Sequence, residues 1–295
     1  MTAPNPSNDV DWLGYYKRVE GVTNTRLRTV LVQAALDAER VANGLAGRGI
    51  GATVQRAQIM RVRKQLRLLI KELFVGKAQP IIREGRLNAV GAAARASMAE
   101  LEPFFREIFP NSASRKAFQA AYEAQARRSI DTMMTRVQGR SYVPLSQAVY
   151  KTSVDVGGRI DRIVNSNLAR GTSAKEIAAE VKSFVNPATP GGASYAAMRL
   201  GRTELNNAFH AQSIAQAQDS PFVDEMEWNL SGRHKPDPKD PCETYALQGT
   251  FAKEDVPVKP HPNCLCYVTP KLVSWGEFRA NLLAGQYDGL SRAVA

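Results

Sequence analysis

Through the first 220 residues, apolar side chains recur at the three- and four-residue spacing of helices that bury one face. Residues 26–43 illustrate it, with Leu27, Leu31 and Ala38 on one side, before a stretch that holds four glycines between positions 43 and 51. The same spacing predicts helices over residues 26–43, 53–74, 89–98, 114–137, 145–168, 174–184 and 195–218, with a shorter turn over 102–109.

Capping and helix-breaking residues divide this pattern into segments. Pro80 and Gly85 are expected to interrupt it, and Asn111 with Ser112 to cap the helix that follows. A pair of glycines at 157–158 predicts a kink in the helix over 145–168. Ser173 and Glu176 form a capping-box signature, and the Pro- and Gly-rich residues 186–194 predict a loop.

The sequence pattern changes after Pro221. Short β-like runs at 226–230 and 267–269 are separated by many prolines and glycines, which is typical of a small loop-rich module with little core of its own. The predicted fold class is therefore mainly α, with an elongated helical N-terminal body and a small α+β, loop-rich C-terminal module.

Membrane insertion and secretion are not expected. No apolar run approaches the length of a membrane span, and residues 1–11 lack the basic start and apolar centre of a signal peptide. We therefore expect a cytosolic protein without a membrane partner.

The chain is strongly basic, with a net charge of +11. Residues 221–270 carry five Lys or Arg against eight Asp or Glu, so the positive excess belongs to the first 220 residues. One helix, over 53–74, has an apolar face and a basic face, which suits DNA, a membrane surface or only water. The candidate DNA-facing residues are Arg56, Arg61, Arg63, Lys64, Arg67 and Lys71.

All three cysteines and all three histidines fall between positions 210 and 266. Zinc prefers four thiolate or imidazole ligands, and small loop-rich modules use it in place of a core. The predicted ligands are Cys242, His261, Cys264 and Cys266, with His234 as the substitute histidine. Because alternate residues of a regular strand point to opposite faces, Cys264 and Cys266 can both ligate only if the backbone turns there.

Two alternatives to a zinc site stay open at the level of sequence. One is a hydrogen-bonded cluster without metal, and the other is a disulfide from Cys242 to Cys264 or Cys266. Catalysis is not expected, because zinc-protease, nucleophile-elbow, P-loop and dinucleotide motifs are absent from the sequence. A Cys264–His261 hydrolase pair is conceivable, but it has no evident orienting group.

Further motif residues stand in a fixed order around the Cys/His set. They are Arg202-Thr-Glu204 on a helix, then Trp228, Ser231, His234, Asp240, Cys242, Gly249, Phe251, Pro257 and His261-Pro-Asn-Cys264-Leu-Cys266. This order resembles a known family, the Mu F-like head-morphogenesis domain of tailed phages. The resemblance covers residues 145–270 and departs from the family pattern in having one cysteine near position 242, where many members have a second nearby.

The resemblance implies a minor head protein present in few copies. It would associate with the portal protein and the capsid or scaffold interior, contact genomic DNA non-specifically, and act in procapsid assembly and in DNA packaging or ejection. It would be found in the host cytoplasm during assembly and then in the virion. The alternative is a non-specific DNA-binding protein whose C-terminal module is held together by zinc.

The expected organisation has three parts. Residues 1–144 are expected to form a basic helical body that faces portal or DNA. Residues 145–270 would form the head-morphogenesis domain, with its Cys/His module at 221–270, and residues 271–295 would form a tail. We expect Arg202 or Glu204 to buttress the Cys/His loops, Trp228 to lie in the core, and His210 to be an ordinary helix histidine rather than a ligand.

Overall fold

The computed structural model describes residues 10–44, 52–109, 111–128 and 130–288, apart from the side chains of 52–56, 125 and 174. The prediction of a mainly α fold with a small α+β module is confirmed, because the described chain is mainly helical and has one small antiparallel sheet near its C-terminal end. No helix in these ranges is long and apolar enough to cross a bilayer.

Helices account for most of the chain before residue 220. They are α1 (Trp12–Asn43), α2 (Ala52–Lys71), α3 (Gln79–Glu100), α4 (Glu102–Ile108), α5 (Ser112–Arg128), α6 (Ile130–Gln138), α7 (Leu145–Ala169), α8 (Ala174–Val185) and α9 (Ala193–Asp219). The C-terminal part contains β1 (Val223–Asn229), α10 (Pro241–Gln248), β2 (Thr250–Ala252), β3 (Tyr267–Leu272) and α11 (Trp275–Leu283).

Two of the predicted helix caps are confirmed. The Ser173 hydroxyl accepts from the backbone N–H of Glu176, whose carboxylate accepts from the Ser173 N–H in return, so the capping box at the start of α8 is complete. Asn111 Oδ1 accepts from the N–H of Ala113 at 2.8 Å in the first turn of α5.

The predicted interruption at Pro80 and Gly85 is wrong. A π-helical segment (Glu72–Ala78) leads directly into α3, which runs through both residues. In this wider turn the Gln79 N–H donates to the carbonyl oxygen of Phe74, five residues back. The hydrogen-bond pattern is therefore already shifted from its usual four-residue spacing at the point where Pro80 has no N–H to donate. Burial of neighbours such as Ile82 outweighs the weak helix propensity of Gly85. Helix α7 also runs through Gly157 and Gly158 without a break.

The chain forms two compact units, each built from separate stretches. The first comprises residues 1–20, 86–142 and 205–295, and the second comprises 21–85 and 143–204. The sequence-based division at 144/145 and 270/271 assumed continuous domains. It does not coincide with these units, because the long helices α1, α3 and α9 each contribute residues to both.

The sheet belongs to the first unit and has the order β2-β1-β3, with β1 pairing antiparallel to both neighbours. One face of β1 is buried, where Met226 and Trp228 lie in an apolar cluster with Ile214 of α9 and Val268 of β3. The three cysteines are members of this same cluster, so the module's core and its candidate site are one structure.

Part of the expected C-terminal tail, as far as Tyr287, instead belongs to an apolar core. Phe278 of α11 is fully buried, with its ring centre 4.5 Å from that of Phe104 and 5.9 Å from that of Phe222. Aromatic burial of this size stabilises a helix that has only nine residues. Residues 289–295 lie outside the described part of the chain.

Candidate metal centre

Helix α10 positions the first cysteine of the cluster. Asp240 is its N-cap and accepts the N–H of Cys242 at 2.9 Å, while Pro241 occupies the first helical turn, where its missing N–H costs nothing. Cys242 is thereby held, fully buried, at the start of the helix.

Cys264 and Cys266 come from the irregular backbone just before β3. The preceding Asn263 has a φ of 63°, a left-handed conformation that turns the chain before Cys264. Residues 264–266 are not part of a regular strand, so their side chains need not point to opposite faces, and both cysteines are buried, at 4% and 1% exposure.

The sulfur atoms of Cys242, Cys264 and Cys266 all lie within 4.8 Å of one another. The Cys242 and Cys264 sulfurs are 3.5 Å apart, and the three cysteines are free thiols. Sulfur ligands at about 2.3 Å from a tetrahedral zinc ion are separated by about 3.8 Å. The thiol triad therefore has the spacing that a metal ion requires and could hold one.

The thiols also share their protons unequally. Hydrogen bonds from Cys242 and Cys266 lower the pKa of Cys264, whereas hydrogen bonding to Cys264 raises the pKa of Cys242. The cluster consequently favours a thiolate at Cys264, the protonation state that binds metals.

Both predicted histidines lie beside the thiol triad, and each approaches the sulfur of a different cysteine. His261 Nε2 is 3.6 Å from Cys242 Sγ and 3.3 Å from Asp240 Oδ2. Asp240, Cys242 and His261 form a second set of closely spaced donor atoms, so Asp240 is a candidate ligand that the sequence analysis missed. The His261 side chain is 38% exposed.

His234 has the arrangement typical of a metal-bound histidine. Its Nε2 lies 3.0 Å from Glu243 Oε1, and because a carboxylate only accepts, Nε2 carries the proton. Its Nδ1 lone pair is therefore available on the side of Cys266, whose sulfur is 3.9 Å away. A carboxylate behind the ring is the usual way in which proteins orient a histidine ligand, and Glu243 was not predicted for this role.

Helix α9 supports the cysteine loop through two residues. Asn206 donates from Nδ2 to the carbonyl oxygen of Cys264, and His210 Nε2 donates to the carbonyl oxygen of Pro257 at 2.9 Å. Burial and the nearby charge of Lys259 lower the pKa of His210 to about 3, so its ring is neutral and acts as a support. Arg202 is half-buried and Glu204 buried on the same helix, and their buttressing of the loops stays a prediction.

The prediction that Trp228 lies in the core is confirmed. The residue is 3% exposed, and its ring centre lies 4.9 Å from that of Tyr245 and 5.6 Å from that of His210. Lys259 Nζ lies 5.4 Å from the centre of the same ring. The polar end of this lysine is thus enclosed within the module.

The six candidate DNA-facing residues divide into three groups. Arg61, Lys64 and Lys71 are exposed on α2, and the side chain of Arg56 lies outside the described residues. Arg63 and Arg67 instead bind Asp161 of α7 within the second unit, with Arg63 Nε 3.2 Å from Asp161 Oδ1. Two of the six cations are therefore partly neutralised by an internal ion pair.

Comparison with known proteins adds no relative. No protein-family model matches the chain, and neither a curated protein nor a solved structure gives a match.

Proposed function

We propose that this chain is a minor head protein of a tailed phage, with a structural role in procapsid assembly and in DNA packaging or ejection. The observation that carries the proposal is the convergence of the motif residues. Trp228, Cys242, Cys264 and Cys266 come from separate parts of the chain and share one buried cluster, and His234 and His261 contact its sulfur atoms. That convergence supports the resemblance to the Mu F-like head-morphogenesis domain.

The metal we propose for the cluster is zinc, bound by Cys242, Cys264 and Cys266 with one histidine. His261 was expected as the fourth ligand, and the contact of His234 with Glu243 supports His234 equally well. Bound there, zinc would supply cross-links between α10 and the loop before β3, which otherwise has little core. A closed set of buried thiols favours this structural role over hydrolysis.

The proposed partners are the portal protein, the capsid or scaffold interior, and genomic DNA. The exposed cations of α2 and the net charge of +11 support non-specific attraction to DNA. They equally support the second candidate function, a DNA-binding protein in which the metal-binding module only stabilises the fold.

The two functions differ in how binding responds to salt. The full chain would be co-expressed with the portal and scaffold proteins encoded in the same genome, and procapsids would be assayed for it. A minor head protein should remain with portal and procapsid when salt is raised from about 0.1 M to about 0.5 M. A protein that only binds DNA should be absent from nuclease-treated procapsids and lose DNA steeply over the same range.

A further inference from the structure

Lys259 places a buried amino group beside the thiol triad. Its Nζ is enclosed and has no hydrogen-bond partner among the residues that the structure describes. The amino group lies over the face of Trp228, 5.4 Å from the ring centre. A buried ammonium without an anion is strongly unfavourable, so Lys259 can carry its charge in this position only beside a compensating negative charge.

The cysteines are the source of that charge that we infer. Trp228, whose ring lies against the Lys259 ammonium, belongs to the same buried cluster as Cys242, Cys264 and Cys266. The carboxylates of Asp240 and Glu243, which also lie beside the cysteines, are in contact with His261 and His234. The thiol triad is thus the group in this core that can supply a negative charge to Lys259.

The charge of the metal centre matches this arrangement. A divalent ion with three thiolates and one neutral imidazole has a net charge of −1, and burying it requires one positive charge nearby. A single enclosed ammonium supplies that charge without occupying a ligand position.

We propose that Lys259 is the positive charge that balances a three-thiolate metal centre, and that the affinity of the triad for a divalent metal depends on it. The inference rests on the proposed metal centre and goes beyond it, since it assigns a role to a residue that is not a ligand. Lys259 would act on the metal centre through its charge, without being one of its ligands.

The test compares full-length reduced proteins. Lys259→Met keeps the length and apolar stem of the side chain, and Lys259→Gln replaces the charge by a neutral polar group. The matched control is Lys271→Met, since Lys271 lies in the same module with 60% of its side chain exposed, paired with Glu225. Folding of every variant would be checked by near-ultraviolet circular dichroism. Zn²⁺ affinity would be measured by competition with a chromophoric chelator, and Co²⁺ binding by absorbance.

Both Lys259 variants should bind Zn²⁺ at least about tenfold more weakly than wild type, as is usual when a residue supporting a metal site is lost. The Co²⁺ absorption bands should keep their positions, because the ligands are the same, and Lys271→Met should bind as wild type. Because the charge is enclosed, the difference should persist at high salt.

Three results would overturn the inference. Wild-type affinity in Lys259→Met would show that only the stem matters. Displaced Co²⁺ bands would show that Lys259 shapes the ligand set rather than its charge. A wild-type protein that binds neither Zn²⁺ nor Co²⁺ would rule out the metal centre, and the inference about Lys259 would fail with it. The first two results differ from this one, because there the wild-type protein still binds metal and only the role of Lys259 is refuted.

Discussion

The side-chain amide of Asn206 donates from Nδ2 to the carbonyl oxygen of Cys264, 58 positions further along the chain. Both residues are buried, so the bond fixes the backbone of the cysteine loop against the middle of α9. His210, one turn further along the helix, holds the same loop at Pro257. The candidate metal centre is thus anchored on a long helix as well as on its own turns.

Removal of the first of these anchors should loosen the cysteine loop. Asn206→Ala leaves the buried carbonyl of Cys264 without its partner, which should lower the free energy of unfolding by about 1–3 kcal/mol. Urea denaturation would measure it. The control is Asn207→Ala, at a half-buried neighbouring position, which should stay within about 0.5 kcal/mol of wild type. Equal effects of the two variants would contradict the anchoring role.

Glu100 should make the stability of the protein depend on pH. Burial raises the pKa of Glu100 above its ordinary value of 4.5, and a hydrogen bond from Trp12 Nε1 at 3.1 Å only partly opposes this. A folded-state pKa that is raised favours the folded state at low pH, and that contribution is lost as pH rises through the folded-state pKa.

The matching variant is Glu100→Gln, which can still accept from Trp12 and carries no charge. Its melting temperature relative to wild type should increase between about pH 4 and about pH 7.5, because only wild type has to bury a carboxylate at the higher pH. A relative decrease over the same interval would show that the ionised form of Glu100 is the favoured one.

The ion pair on Asp161 tests whether the basic face of α2 meets DNA. Burial raises the pKa of Asp161, but hydrogen bonds and charges from Arg67 and Arg63 outweigh it and hold that pKa below 3.8. Asp161→Asn would release both arginines. If this face binds DNA, affinity should rise, and the slope of log K against log salt should steepen by up to about 2.

The control for this experiment is Asp155→Asn, an exposed position on the same helix α7. It should change the salt slope by less than about 1. Unchanged DNA affinity in Asp161→Asn, with the variant folded by circular dichroism, would exclude the α2 face as the contact surface.

Helix α11 should be essential to the first unit. Phe278→Ala removes a fully buried ring that lies 5.1 Å from Trp275 and 5.4 Å from Tyr287, centre to centre, and should cost about 3–5 kcal/mol in urea denaturation. Leu283→Ala on the same helix, at a residue 90% exposed, should cost less than about 0.5 kcal/mol. Comparable losses in the two variants would contradict the packing described for α11.

The sequence predicted most of the helices of the N-terminal part and the set of sulfur and imidazole groups, because periodicity and scarce residue types are visible locally. It missed the first part of α1, which begins at Trp12 and not at residue 26. It did not predict α10, although Asp240-Pro241 is a helix-start signature, since the surrounding prolines resembled a loop. Helix α11 was also missed, although Ser274 and Glu277 repeat the spacing of the capping box at α8.

Long-range contacts leave no local trace in the sequence. A polar residue such as Asn206 has the same appearance whether it faces water or a carbonyl 58 positions away. The partner of Arg67 is similarly hidden, because Asp161 is 94 residues distant. Strand β2 has only three residues and is defined by its pairing with β1, which short-range patterns do not report.

The zinc content of the purified protein tests the proposed metal centre most directly. Wild-type chain and a Cys264→Ala/Cys266→Ala variant would be prepared without chelator and measured by elemental analysis together with thermal unfolding. A structural metal centre predicts about one zinc per wild-type chain, lost in the variant along with thermal stability. Wild-type protein that is folded and free of zinc would contradict the centre, and the thiol triad would then be only a hydrogen-bonded part of the core.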